Sequence, residues 1–272
     1  MLLVHPDGAV VRERALRTLD RLPPFSPILN RLLATMAKED VSYSELADLI
    51  EKDSVLAGNV LRLVNSALYN LRGEVSSVRH AVAVLGLNKL RNVGLSLSVA
   101  RVWGQAPSPA GWPAGRFNLH SVAAGILADL LAGEVETDYP EGAFVAGLLH
   151  DLGKLLIAIA APDEFAAVRT MAQASGRDWS ECEAQVLGIT HAELSGHALE
   201  RWNLPPPIRE AVIRHHTPEG EGRLSSVLAE ANAAANALGY SIVERPEREV
   251  SERVAPLTDQ FAVEFEAMKK FF

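Results

Sequence analysis

Apolar side chains recur along the chain at intervals of three and four residues. Leu46, Leu49 and Ile50 form one stripe, Leu56, Val60, Leu63, Val64 and Ala67 a second, and Leu90, Val93, Leu97 and Ala100 a third. Such spacing puts the side chains on one side of a 3.6-residue turn, the pattern of a helix with one buried face. Start signals agree. Ser44 stands just ahead of Glu45 and Leu46, and Asp53-Ser54 precedes Val55; these side-chain oxygens accept from the unpaired N–H groups of a first helical turn. No alternating run closed by Asn-Gly or Asp-Gly announces a hairpin. The pattern predicts an all-α fold.

Gly104 to Gly115 (GQAPSPAGWPAG) breaks the periodicity with three glycines and three prolines, so it reads as a connection. It separates an N-terminal helical lobe over 20–103 from a C-terminal helical lobe over 116–243, together a multi-helix bundle. Residues 244–272 form a C-terminal extension: a charged run over 244–249 with Pro246, then an amphipathic helix with Phe261, Phe265, Met268 and Phe272 on one face. That face is a packing surface, or alternatively a contact for a homo-oligomer or partner.

Ser44 to Val64 can also be drawn as two short helices about a turn at Lys52-Asp53-Ser54, the outline of a helix-turn-helix unit. Its charges oppose nucleic acid. Glu45, Asp48, Glu51 and Asp53 crowd the first helix and turn, and the second helix offers only Arg62, whereas a reading helix needs several donors. Over the whole chain 26 Lys and Arg face 34 Asp and Glu, a net charge of −8, which also argues against binding nucleic acid or an anionic membrane through bulk charge.

Met1-Leu2-Leu3-Val4 is too short for a secretory signal. The most apolar stretch, Ala143 to Ala161, is interrupted by His150, Asp151 and Lys154, and a span needs about 20 mostly apolar residues. No membrane segment is expected, and the single Cys182 suits a reducing cytoplasm. Of 272 residues, none are left for an attached receiver or cyclase domain, so the chain is expected to act in trans.

The candidate chemistry lies in the histidines. His120, His150, His191, His215 and His216 fall on separate expected helices of the C-terminal lobe, with Asp151 beside His150. His150-Asp151 ends the apolar helix Ala143 to Leu149, and Gly153 follows. Adjacent helical residues point about 100° apart, but a helix end relaxed by glycine lets both turn to one ion. Neutral imidazole with carboxylate suits iron, manganese, zinc or nickel rather than calcium. Without metal, the same side chains would form a buried network in which imidazoles hydrogen-bond to Asp151 and Asn232. His5, His80 and His197 stand outside the series.

The series His120, His150-Asp151, Gly153-Lys154, His191, His215-His216 resembles the HD superfamily of metal-dependent phosphohydrolases. Leu22-Pro23-Pro24, Ser44-Glu45-Leu46-Ala47, Asp53-Ser54-Val55-Leu56, the run from Leu61 through Asn65-Ser66-Ala67 to Tyr69, Val75-Ser76-Ser77-Val78, Leu85-Gly86 and Trp202-Asn203-Leu204-Pro205 resemble the HDOD (HD-related output domain) family over about residues 20–240. The resemblance implies an all-helical bundle with an HD-domain-like C-terminal lobe. It also implies a bacterial signal-transduction module that acts by binding a signalling protein or a small ligand such as a nucleotide. His120, His150, Asp151, His191, His215 and His216 become metal ligands, and Lys154 the residue that faces a phosphate.

The chain departs from the phosphodiesterase branch of that superfamily at three points. Arg116 stands where the pattern has Glu, Asn232 where it has Asp, and no Gly-Tyr-Pro follows His215-His216. Five imidazoles and one carboxylate remain, so two divalent ions would bring +4 against −1. Arg116 shares a helix face with His120; its charge about 6 Å from a divalent ion costs on the order of 5 kcal/mol at a dielectric of about 20. One ion is expected rather than two, in a regulatory module without turnover, with Arg116, Lys154 and Asn232 as ligand contacts. The alternative is a metal-dependent phosphohydrolase acting on a phosphate ester or cyclic di-GMP, with Asp151 and Lys154 catalytic.

Overall fold

Every regular element among the described residues is helical. The computed structural model describes residues 8–19, 27–35, 42–66, 73–106, 108–109, 111–218, 220, 222–242 and 249–271. His5, Leu22-Pro23-Pro24, Ala67 to Tyr69, residues 244–248 with Pro246, and Phe272 lie outside them.

The N-terminal lobe is built from α2 (Pro27–Ala34), α3 (Tyr43–Glu51), α4 (Ser54–Val64), α5 (Val78–Leu85) and α6 (Leu87–Gln105). Leu46, Leu49, Ile50, Leu56, Val60, Leu63 and Val64 are buried, as their stripes require. The cap of α3 stands two residues before the expected signal. Ser42, in extended backbone, accepts from Glu45 N–H at 3.1 Å, and Ser44 sits inside the first turn. Asp53 caps α4 as expected, its Oδ1 accepting from Val55 and Leu56 N–H at 3.0 Å each. Asn65 closes α4 with its side-chain amide, which accepts from Val75 N–H at 2.7 Å and donates to the Val75 carbonyl at 2.8 Å. α6 is buried all round from Leu90 to Val99, because it packs on α2, α4 and α5 and also meets the other lobe.

That lobe comprises α7 (Ala114–Glu134), α8 (Ala143–Leu149), α9 (Leu152–Ala160), α10 (Pro162–Ser175), α11 (Trp179–Leu187), α12 (His191–Arg201), α13 (Pro206–Arg214), α14 (Leu224–Ala237) and α15 (Thr258–Met268). α7 and α8 form its most intimate pair. A Cβ on Gly147 would stand 2.5 Å from the Ala124 carbonyl oxygen, so only glycine allows the backbones this close. Among the described residues one stretch, Pro140–Ala160, is long and apolar enough to cross a membrane by length and composition, and 89% of its most apolar part is buried inside the protein.

Two segments dock in ways periodicity does not reveal. α1 (Gly8–Thr18) precedes the expected domain yet packs on α9 and α12 of the C-terminal lobe, burying Val11 and Ala15, with Arg14 on Glu164 at 3.2 Å. In the glycine- and proline-rich connection, Trp112 is anchored, its ring 5.0 Å from Phe117 and 5.4 Å from Phe165. The apolar face of α15 is spent on α7. Phe261, Phe265 and Met268 are buried and the two phenylalanines hold the Tyr240 ring, so this face is packing and leaves little for an oligomer contact.

Candidate metal centre

The six side chains singled out in the sequence come together in the C-terminal lobe. His120 projects from α7; His150 and Asp151 sit between α8 and α9; His191 is the first residue of α12; His215 and His216 follow α13. They form two groups, His120 with His150 and Asp151, and His191 with His215 and His216, and within each group the candidate ligand atoms lie within 4.8 Å of one another. Asp151 faces both. Its Oδ2 is 3.3 Å from His120 Nε2 and 3.4 Å from His150 Nε2; its Oδ1 is 3.1 Å from His191 Nε2 and 4.0 Å from His215 Nε2.

Gly153 serves this arrangement differently from the helix-relaxing role that the sequence suggested. A Cβ there would stand 2.0 Å from the His191 carbonyl oxygen, so glycine lets α9 and the start of α12 touch. Ser195 stitches the contact, accepting from Gly153 N–H and donating to the His150 carbonyl, both at 2.8 Å. A capping box of Thr190 and Glu193 starts α12 at His191.

The outward nitrogens set the tautomers. Nδ1 of His120, His150 and His215 lies on the carbonyl oxygens of Tyr240, Gly147 and Val212 at 2.9, 2.7 and 2.7 Å. A carbonyl only accepts, so each Nδ1 carries a proton, and the neutral rings of His150 and His215 turn the Nε2 lone pair inward. The Nε2 atoms of His120 and His150 face each other at 3.3 Å, and a hydrogen bond between them needs a proton on one of these inward nitrogens. Burial opposes a second proton on the other rings: it pushes His150 down to about 4, His216 to about 3, and His215 well below the usual histidine range. Asp151 Oδ1 is buried and makes no regular hydrogen bond, although His191 Nε2 stands 3.1 Å away.

Burial alone would raise the Asp151 carboxyl, but His150, Lys154 and the flanking imidazoles outweigh it and hold the group well below the carboxylate range. Inward lone pairs, an ionised carboxylate and an orphaned oxygen are what a cation satisfies, whereas a metal-free network leaves them in conflict. The expected tie to Asn232 is absent: its Oδ1 accepts from Asn236 at 3.0 Å. The donor set fits a divalent ion.

A cavity of about 550 Å³ opens onto His120, His215, His216 and Lys154 and is walled on the far side by Glu230, Asn232 and Ser251. Lys154 donates to Asp151 Oδ2 at 2.7 Å and stands 5.7 Å over the Trp179 ring. Arg116 is exposed and outside the cavity lining. The repulsion expected from its shared face with His120 is therefore screened by solvent. His80 is exposed, and His197, half-buried, lies 3.8 Å from Glu200.

The sequence reading missed Glu183, on α11, whose buried carboxylate accepts from both the backbone N–H and Nδ1 of His191 at 2.7 and 2.6 Å. Burial pushes His191 down, but Glu183 and Asp151 outweigh it and raise its pKa. The only local signal was a carboxylate four residues after Trp179, on the same helix face.

The HDOD domain model matches residues 22–218. The chain belongs to the HDOD domain family. An HDOD domain protein of unknown function from Geobacter sulfurreducens is 24% identical, with a TM-score of 0.78 over 98% of this chain and 99% of that one. A protein of Shewanella amazonensis provisionally named a phosphohydrolase is 26% identical, with a TM-score of 0.70 over 95% and 97%. An uncharacterized protein of Treponema pallidum (strain Nichols) is 26% identical over 229 residues, 79% of this chain and 42% of that protein. The HDOD chain thus spans less than half the length of this curated relative. Its similarities are thus to the HDOD domain and to a protein provisionally named a phosphohydrolase, on an all-α fold. Asn203, in the Trp202-Asn203-Leu204-Pro205 motif, has φ 55 after α12, a left-handed position that asparagine tolerates.

Proposed function

We propose that this HDOD protein is a regulatory module whose C-terminal lobe holds a divalent metal, and whose cavity binds an anionic small ligand, with the bound state read by a signalling partner. The observation that carries this reading is the convergence of four imidazoles on Asp151, whose buried Oδ1 lacks a partner, with His216 beside His191. His120, His150 and Asp151 would hold an ion on one side, and His191, His215 and His216 on the other. A bound ion of the iron, manganese, zinc or nickel class supplies positive charge for an anionic group and lowers the pKa of a coordinated water.

Charge limits the occupancy. Asp151 is the single carboxylate among the six, and the Lys154 ammonium already lies on its Oδ2. A second ion would find no further carboxylate among the six to coordinate, Glu183 and Asp178 standing behind His191 and His216 rather than among them, which favours one ion. Asn232, where the phosphodiesterase pattern has Asp, adds an amide to the cavity wall instead of a charge.

The second reading is a metal-dependent phosphohydrolase. It is favoured by the cavity itself, which exposes His120, His215, His216 and Lys154 to a ligand of small-molecule size. In that case Asp151 would orient the attacking water.

Metal content by plasma mass spectrometry, on untagged protein purified without chelator, tests both. About one equivalent per chain with no phosphoester turnover is the expected result. About two equivalents, with turnover that His150→Ala abolishes while the fold persists, overturns it in favour of the hydrolase. No metal after reconstitution with iron, manganese, zinc and nickel overturns the metal pocket altogether.

A further inference from the structure

The histidines differ in what holds their outer nitrogen. His120, His150 and His215 are held by neutral carbonyls. His191 is held by the carboxylate of Glu183, and the residues around that contact close a ring. Glu183 Oε2 accepts from His191 Nδ1 and N–H; Glu183 Oε1 accepts from Trp179 Nε1 at 2.6 Å. The Trp179 ring lies under Lys154 Nζ, Lys154 donates to Asp151 Oδ2, and Asp151 Oδ1 faces His191 Nε2. Trp179 and Glu183 stand four residues apart on α11, so one helix face serves both oxygens of Asp151.

We propose that Glu183 is a positioning residue that aims and strengthens the inward nitrogen of His191, and that Trp179 fixes Glu183 while steering Lys154 on the opposite side of Asp151. This rests on the reading of the centre as a metal site.

The physical reason is direct. A carboxylate accepting from Nδ1–H fixes ring orientation and leaves Nε2 more electron-rich than a carbonyl does, and losing such a partner costs about 10–100-fold in metal affinity. Both partners are buried, so water does not replace the carboxylate. The backbone N–H of His191 uses the same oxygen, which fixes the start of α12 as well as the ring. Oε1 is committed to Trp179, so the carboxylate cannot rotate away without unpairing the indole N–H.

The test uses the full chain, stripped of metal, as wild type, Glu183→Gln and Trp179→Phe. Cobalt(II) is titrated and followed by calorimetry and visible absorption, and the histidine nitrogens are observed by NMR in the metal-free protein. Glu183→Gln should weaken cobalt binding about 10–100-fold and shift the cobalt band. Trp179→Phe, which keeps an aromatic face but loses the indole N–H, should weaken it about three- to tenfold. Wild type should show a proton on His191 Nδ1, moved by Glu183→Gln.

Cobalt affinity within twofold of wild type in Glu183→Gln, or an unprotonated His191 Nδ1 in wild type, overturns the proposal. A purely structural role would lower the melting temperature of the metal-free variant and leave the cobalt band of the folded fraction unchanged. If Glu183→Gln does not fold, unchanged affinity in Trp179→Phe overturns it instead. If wild type takes up no cobalt, the metal reading falls by itself, and the Nδ1 observation then decides whether Glu183 positions His191.

Discussion

Gly153→Ala is the substitution for which the structure yields the sharpest number. The added Cβ would lie 2.0 Å from the His191 carbonyl oxygen and 2.7 Å from its carbon. Both are backbone atoms, so neither can swing aside. The start of α12 must retreat by about 1.4 Å to reach ordinary contact, a displacement that such overpacking makes cost about 1–3 kcal/mol. The same retreat opens the Gly153 N–H to Ser195 Oγ bond, a buried bond whose loss costs about 1–3 kcal/mol. Together about 2–6 kcal/mol is expected, which at about 2 °C per kcal/mol in a chain of this size lowers Tm by about 4–12 °C.

His191 moves with the helix, so metal affinity should fall in the fraction that stays folded. Gly196→Ala is the control on the same helix. Its Cβ would meet Cγ1 and Cδ1 of Ile213, a side chain 40% exposed that can change rotamer for about 1 kcal/mol. Thermal unfolding of the metal-free proteins and metal titration of each give the comparison. If Gly153→Ala melts within 2 °C of wild type, or no lower than Gly196→Ala, the account of α9 touching α12 is wrong.

Two further outcomes follow from other sites. Asn65→Ala strands the N–H and carbonyl of Val75 and should cost about 2–3 kcal/mol, read as a lower urea midpoint; an unchanged midpoint would show that water replaces the amide. In the metal-free protein His150 is held at about 4 rather than 6.5 by burial. Its folded pKa is depressed, so the stability it contributes is complete above pH 6.5 and is lost as pH falls toward 4, about 3 kcal/mol in all. His215 and His216 act with the same sign, while His191, raised, acts with the opposite sign. Urea midpoints at pH 7.5, 5.5 and 4.5 should fall in that order; a flat series would refute the buried neutral rings.

What the sequence determined by itself was local or carried by motif. Helical stripes such as Leu56, Val60, Leu63 and Val64 follow from a 3.6-residue period, which each helix satisfies alone. Asp53 caps α4 through its own neighbours. The six candidate ligands were legible because His150-Asp151 and His215-His216 are adjacent pairs on a resemblance that spans most of the chain.

The tertiary structure decided what depends on two distant segments meeting. Glu183 reaches His191 only because α11 lies against the start of α12. Gly153 is required by the His191 backbone, not by its own φ and ψ. Arg116, expected beside the ion, faces solvent because α7 turns His120 inward. α1 joins the C-terminal lobe because its apolar face meets α9 and α12. Above all, whether Asp151 serves one group of histidines or two depends on how its two oxygens are aimed, and that orientation exists only once α7, α8, α9, α12 and the end of α13 have closed around a buried carboxylate.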